Sequence, residues 1–294
     1  MDYFAEEKMS KVMIVTDSTA NIPPELLDGN PIVSVPLQVI WGNEILRDGI
    51  DIQAKEFYER LMIDKVMPST SQVTPEEFKT MYGRLIEEGY DILSLHISGK
   101  LSGTLDSAIQ AKKAFPGARI ELVDSLSTSM AMGFQVLSAA RMAGIGATLE
   151  ECKTVAEKAK NNTGVYFVLN TLEFLHRGGR IGGAQAFLGT MLNMKPILEL
   201  RDGRIEAIER VRTIGKATER LLDLVEARVS REQEPVRLCV VHANAEKEGK
   251  ALLERAVKRF PKSLVTDAVL STVSPVLGTH AGPGALGVAF MHSM

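Results

Sequence analysis

Val12-Met13-Ile14-Val15-Thr16-Asp17-Ser18-Thr19 joins four apolar residues directly to four polar ones. A short apolar run without alternation is the pattern of a strand covered on both faces, as in a parallel sheet flanked by helices. Its polar end matters for function, because open α/β sheets bind ligands in the crevice outside the carboxyl ends of their strands. The expectation for the first half is therefore alternating strand and helix.

The chain downstream keeps that alternation. Thr74-Pro75-Glu76-Glu77 combines a capping box with proline at the first helical position, and the helix it opens stops near Gly89. A strand over 91–98 follows, then a helix carrying Leu105, Ala108, Ile109 and Lys112 that closes at Pro116-Gly117, then a strand over 119–123. Residues 126–143 are apolar nearly all round, with Met130, Met132, Phe134, Val136 and Leu137, which predicts a helix buried on several sides. Plain core is favoured there over a ligand wall. Thr148-Leu149-Glu150-Glu151 is a second capping box, for a helix reaching about Asn162.

Beyond that point the pattern changes. A strand over 165–169 and a helix with Leu172 and Phe174 lead into Arg177-Gly178-Gly179-Arg180-Ile181-Gly182-Gly183. Asp202-Gly203 between the apolar stretches 197–200 and 205–211 predicts a hairpin, which is antiparallel. Strands over 237–242, 264–270 and 285–291 and a helix over 245–260 complete the pattern. The fold expected is α/β in two domains: an N-terminal Rossmann-like parallel-sheet domain over 11–165 and a C-terminal mixed α+β domain over 166–294.

The 294 residues are 45% hydrophobic, enough for substantial cores, and the net charge of -3 leaves no basic footprint for nucleic acid. Residues 1–10 include Asp2, Glu6, Glu7 and Lys8 and have no apolar core, so no leader, no stable membrane insertion and a cytoplasmic location are expected. Cys152 and Cys239 have no CxxC partner and no histidine at ligand spacing; they read as reduced thiols, and neither metal nor cofactor is expected.

Three distant segments carry hydroxyls, glycines and one histidine suited to gripping an acidic head group. They are Pro68-Ser69-Thr70-Ser71-Gln72, Leu101-Ser102-Gly103-Thr104, and Gly278-Thr279-His280-Ala281-Gly282-Pro283-Gly284-Ala285-Leu286-Gly287. Ser102 stands at a helix start, where it serves either as an ordinary N-cap or as part of an anion site built on free N–H groups and the helix dipole. Thr70 is a turn hydroxyl or a ligand donor. His280 is a satisfied loop histidine or one aimed at a ligand through permissive glycines. His96, His176, His242 and His292 read as structural or exposed. The glycine run at 178–183 matches neither GxxxxGK[ST] nor GxGxxG, so it reads as a tight connection with an exposed Arg180. No GxSxG surrounds a serine, and no acid is evident to orient His280 as a base.

Taken together, these segments resemble the DegV family. The resemblance is carried by 15–23, Thr70-Ser71-Gln72, 96–104, Val123-Asp124-Ser125, 175–181 and 278–287, and spans roughly 11–292. It implies a two-domain protein enclosing one long-chain fatty acid between its domains, as in FakB-type carriers. These present the bound acid to a separate ATP-dependent fatty acid kinase, which makes an acyl phosphate for phospholipid metabolism. By that resemblance Thr70 and Ser102 bind the carboxylate, His280 completes the head-group site, and Arg180 and Arg212 lie near the mouth and face the kinase. One departure is Gly99, where the family has a second serine. Two other readings are an acyl transferase or hydrolase using Ser102 and His280, and a lipid sensor with no kinase partner. Chain-length preference would depend on tunnel-shaping residues such as Met130, Phe134 and Met191.

Overall fold

The computed structural model describes residues 11–189, 194–229 and 234–294. Residues 1–10 and Met191 lie outside the described residues.

The strands are β1 Lys11–Asp17, β2 Ile32–Val35, β3 Gln38–Trp41, β4 Glu44–Arg47, β5 Ser69–Ser71, β6 Tyr90–His96, β7 Ile120–Asp124, β8 Thr163–Val168, β9 Lys195–Arg201, β10 Arg204–Val211, β11 Val236–His242, β12 Val265–Thr272 and β13 Leu286–His292. The helices are α1 Pro24–Leu27, α2 Ala54–Ile63, α3 Pro75–Glu87, α4 Thr104–Lys112, α5 Ser129–Gly144, α6 Leu149–Asn162, α7 Glu173–Arg177, α8 Ile214–Val229, α9 Glu246–Lys258 and α10 Pro275–Ala281.

The first half folds as the apolar run of β1 predicts. The sheet β2-β1-β6-β7 is parallel throughout, and β1 buries Ile14 and Val15 completely, as a strand covered on both faces must. Both capping boxes form: Thr74 Oγ1 accepts from the Glu77 amide while Glu77 accepts from the Thr74 amide, and Thr148 and Glu151 repeat the arrangement. A small antiparallel sheet, β4-β3-β5, adds to this half.

The second sheet has the order β10-β9-β8-β13-β11-β12 and is mixed, antiparallel except for the β11–β12 pair. Its β9–β10 hairpin turns at Asp202-Gly203, with both residues in the left-handed region. β8 straddles the division expected between residues 165 and 166, and it pairs with β13 and β9 of this sheet.

α5 is the element between the two sheets. Twelve of its sixteen residues are buried. Gln135 Nε2 donates to Thr163 Oγ1 at the start of β8, and Arg141 pairs with Asp267 of β12. Met130 and Phe134 belong to the main hydrophobic core, so this helix is core as expected.

Candidate functional site

Between the first-half loops and the inner face of the second sheet lies a cavity of about 290 Å³. Its floor is a row across three strands: Phe167 of β8 pairs with Gly287 of β13, which pairs with Val241 of β11, and all three line the cavity. Val165 and Leu169 lie on the same side as Phe167 because side chains alternate along a strand, and the register pair Leu200–Ile205 of the hairpin extends the wall. Leu37, Ile97 and Leu101 close it from the first half, and Val276 and Leu277 of α10 from the side. Met130 and Phe134 are not among the lining residues.

This apolar lining meets a polar group in which the structure joins Thr70, Ser102 and His280, although 210 residues separate Thr70 from His280. Thr70 is the middle residue of β5, paired with Val39, and not a loop residue as expected. Ser71 and Gln72 follow it on the cavity wall, and Gln72 Nε2 donates to Ser107 Oγ of α4. Ser102 precedes α4 by the cap residue Gly103; its Oγ accepts from the Thr104 amide at 3.3 Å and lies 2.9 Å from Thr104 Oγ1. Ser102 is thus not the N-cap itself, and it supports the first amide of α4 from a position on the cavity wall.

His280 occupies the last turn of α10, not a loop; the chain leaves that helix through Gly282 at φ 72. Its Nε2 is 2.9 Å from Thr70 Oγ1, in a hydrogen bond whose direction depends on the imidazole tautomer. Nδ1 is buried and has no hydrogen-bond partner. Burial, reinforced by the Arg180 guanidinium, pushes the imidazole pKa down to about 4, so the ring is neutral at physiological pH. Gly178 is what lets it sit there: a β-carbon at that position would overlap His280 Nδ1.

Arg180 departs from expectation. It is half-buried and lines the cavity, with Nε donating to the Leu101 carbonyl at 3.0 Å and Nη1 to the Gly178 carbonyl at 2.7 Å. The glycine run folds back after α7 and delivers the guanidinium to the loop that carries Ser102. Arg212, just past β10, is exposed and does not line the cavity. Gly99 is exposed, bonds Asp124 through its amide and does not border the cavity either, so the departure at that position leaves the lining unchanged. Its neighbour Ser98 is buried, and its Oγ donates to the Gly203 carbonyl at 2.9 Å, pinning the hairpin turn to the first half.

Sequence reading missed Gly178 and the inward aim of Arg180, because both depend on contacts between segments far apart in the chain. A helical start for α10 was signalled by Ser274-Pro275, with proline at the first helical position, but the glycines after His280 favoured a loop.

Cys152 in α6 and Cys239 in β11 are free and buried; burial pushes the Cys152 thiol up to about 11 and raises that of Cys239 further. Among the described residues no group of three or more His, Cys, Asp or Glu could hold a metal ion, and no helix is long and apolar enough to cross a membrane.

A neutral imidazole, two hydroxyls and a guanidinium stand together at one end of an apolar enclosure, a chemistry suited to an amphiphile with an anionic head. Known proteins carry the same framework. A family model described as "Uncharacterised protein, DegV family" matches residues 11–293. A DegV domain-containing protein of Streptomyces coelicolor is 41% identical over 278 residues, covering 94% of this chain and 97% of that one. A solved DegV family protein from Thermus thermophilus, described for its fatty acid binding, is 38% identical with a TM-score of 0.89, covering 96% of this chain and all of the other. Bacillus subtilis DegV, described as a fatty acid binding protein, is 34% identical with a TM-score of 0.86, covering 97% of this chain and 100% of its own. On this family match and these relatives, the chain belongs to the DegV family.

Proposed function

We propose that this protein binds a single long-chain fatty acid in the cavity and presents its carboxylate to a separate ATP-dependent fatty acid kinase for acyl phosphate formation. The carrying observation is the joining of one apolar enclosure to one polar end, where Thr70, Ser102, His280 and Arg180 meet. The ligand is held between two units, residues 11–165 and 166–294. Fatty acid binding by the Thermus thermophilus and Bacillus subtilis relatives supports this reading. So does the energetics: burial contributes ~0.8 kcal/mol per methylene, so a chain of about sixteen carbons gains on the order of 12 kcal/mol before ordering costs. A buried carboxylate without donors costs several kcal/mol, which the polar end offsets.

In this reading Arg180 neutralises the carboxylate and His280 orients it, while exposed Arg212 meets the kinase or the transferring phosphoryl group. Acyl transfer or hydrolysis by Ser102 and His280 is less well supported, because the imidazole is engaged by Thr70 and the Ser102 hydroxyl by Thr104.

Native mass spectrometry of the freshly purified protein, followed by denaturing extraction, is expected to find one noncovalent fatty acid per chain. With a fatty acid kinase and ATP, Arg212→Ala is expected to keep its lipid and lose acyl phosphate formation. Lipid-free protein that takes up none of a panel of saturated and unsaturated acids would overturn the binding role. Undiminished product formation by Arg212→Ala would remove this arginine from the kinase surface.

A further inference from the structure

A second cavity, of about 510 Å³, lies at the N-terminal end of α10 and shares no lining residue with the first. It is bounded by the polar carboxyl end of β1, by the turn after β4 that holds Asp48, and by the β12–α10 junction at Ser274. We propose that it is a binding site for a small primary amine whose ammonium pairs with Asp48.

Asp48 is 2% exposed and borders this cavity. Its Oδ1 accepts from the Val276 amide at 3.2 Å, and its Oδ2 has no hydrogen-bond partner. Burial holds its carboxyl above the ordinary range; the nearby hydroxyls of Ser18 and Ser274 and the Val276 amide offset this in part, though neither hydroxyl reaches a well-formed bond. A buried carboxylate needs a cation or further donors. None of the lining residues is Lys, Arg or His, so the cation must come from outside the cavity wall.

Two more unpartnered atoms border the same space: Thr16 Oγ1, on a residue 1% exposed, and Ser274 Oγ. Ser274 is the N-cap of α10 but makes no capping bond, and its hydroxyl lies beside Asp48. An ammonium carries three donors and no acceptor, and the Asp48 carboxylate with the lone pairs of the Thr16 and Ser274 hydroxyls can supply three acceptors, although each hydroxyl also has a proton to donate. Asp17 and Glu25 on the lining add negative potential, which disfavours phosphate and carboxylate ligands.

A bare metal ion fits less well. No group of three metal-ligating side chains occurs among the described residues, and the volume far exceeds one ion. Pro23, Pro24, Leu27, Pro36, Ile50 and Leu270 supply apolar surface for a short carbon skeleton.

The test is a titration of the isotope-labelled full chain with n-butylamine, 1-butanol and butyrate, followed through backbone amide shifts. The amine is expected to shift the Ser274 and Val276 amides saturably and to bind at least tenfold more tightly than the alcohol, with butyrate weaker still. Asp48→Asn is expected to weaken the amine at least tenfold while the variant retains a cooperative thermal transition. Equal affinity for amine and alcohol would overturn the proposal, and this readout needs no variant. So would an undiminished affinity in Asp48→Asn, or shifts centred on Phe167 and Leu286, which would place the amine in the other cavity.

Discussion

His96 and His280 each sit beside a hydroxyl, yet the fold finishes one and leaves the other open. His96 is sealed in the first half: Nε2 is 2.6 Å from Ser94 Oγ, Nδ1 is 3.0 Å from Asp17 Oδ2, and Ser94 Oγ is 2.7 Å from the Tyr82 hydroxyl. Asp17 also accepts from the amides of Thr19 and Ile97. All four side chains are fully buried, and every polar atom of the chain from Asp17 to Tyr82 is used. His280 has one ring nitrogen bonded, the other without a partner, and a cavity in front of it. By residue type the first group, with its Asp, His and Ser, looks the more catalytic. Satisfaction of hydrogen bonds, not residue type, separates a core network from a site.

The largest effect expected from this contrast is on stability. Asp17→Ala strips four acceptances from buried donors and should destabilise the fold by ~3–5 kcal/mol, read as a lower urea midpoint with unchanged slope. A loss below about 1 kcal/mol would mean the His96 network is as incomplete as the His280 site.

At the open site the effect should fall on the ligand. Thr70→Val, Ser102→Ala and Arg180→Ala are each expected to weaken free fatty acid by ~1.5–3 kcal/mol, roughly ten- to a hundredfold, and its methyl ester much less. Competition binding with the acid and ester pair measures this. Equal losses for both would assign the Ser102 hydroxyl to its bond with the Thr104 amide, the Thr70 hydroxyl to its bond with His280, and the guanidinium to the Leu101 tie.

The His280 imidazole should also make itself felt in acid. Because burial favours neutral His280 in the folded protein, the unfolded chain takes up a proton first as pH falls below the ordinary 6.5. Stability is therefore full above pH 6.5 and is lost progressively toward about pH 4, by ~1–2 kcal/mol for a half-buried ring. Urea unfolding of lipid-free protein at several pH values tests it. His280→Gln should remove that part of the slope, and an unchanged profile would count against the burial argument.

The smallest change sits on the glycine that makes room for the ring. Gly178 has φ -74, which alanine adopts freely, so Gly178→Ala should act through the clash with His280 alone. Its fatty acid affinity is expected to fall about tenfold, matching His280→Ala, and the double variant should lose no more than either single. Additive losses would separate the two residues.

The parts of this molecule legible in the sequence are those set by neighbours in the chain. The apolar run before Thr16, the capping boxes at Thr74 and Thr148 and the Asp202-Gly203 turn each carry their own instruction, and each forms. β5 was not legible, because Ser69, Thr70 and Ser71 offer no apolar residue and owe their strand to pairing with β3. Thr70, Ser102 and His280 could be singled out by residue type and setting, but not the hydrogen bond that unites two of them. Arg180 misled because glycines on both sides suggest exposure, whereas the Leu101 carbonyl holds it inward.

The helix α5 carries a consequence for dissecting the protein. A helix buried along most of its length has almost no face to offer water, and part of its cover comes from β8, β11 and β13, which lie later in the chain. A fragment ending at Asn162 would uncover the side of that helix that packs on β8, β11 and β13, and one beginning at Thr163 would lose the layer over the inner face of its sheet. The two halves should therefore be recoverable as a co-expressed, noncovalently reassembled pair and aggregate when produced separately, however independent their sheets look on paper.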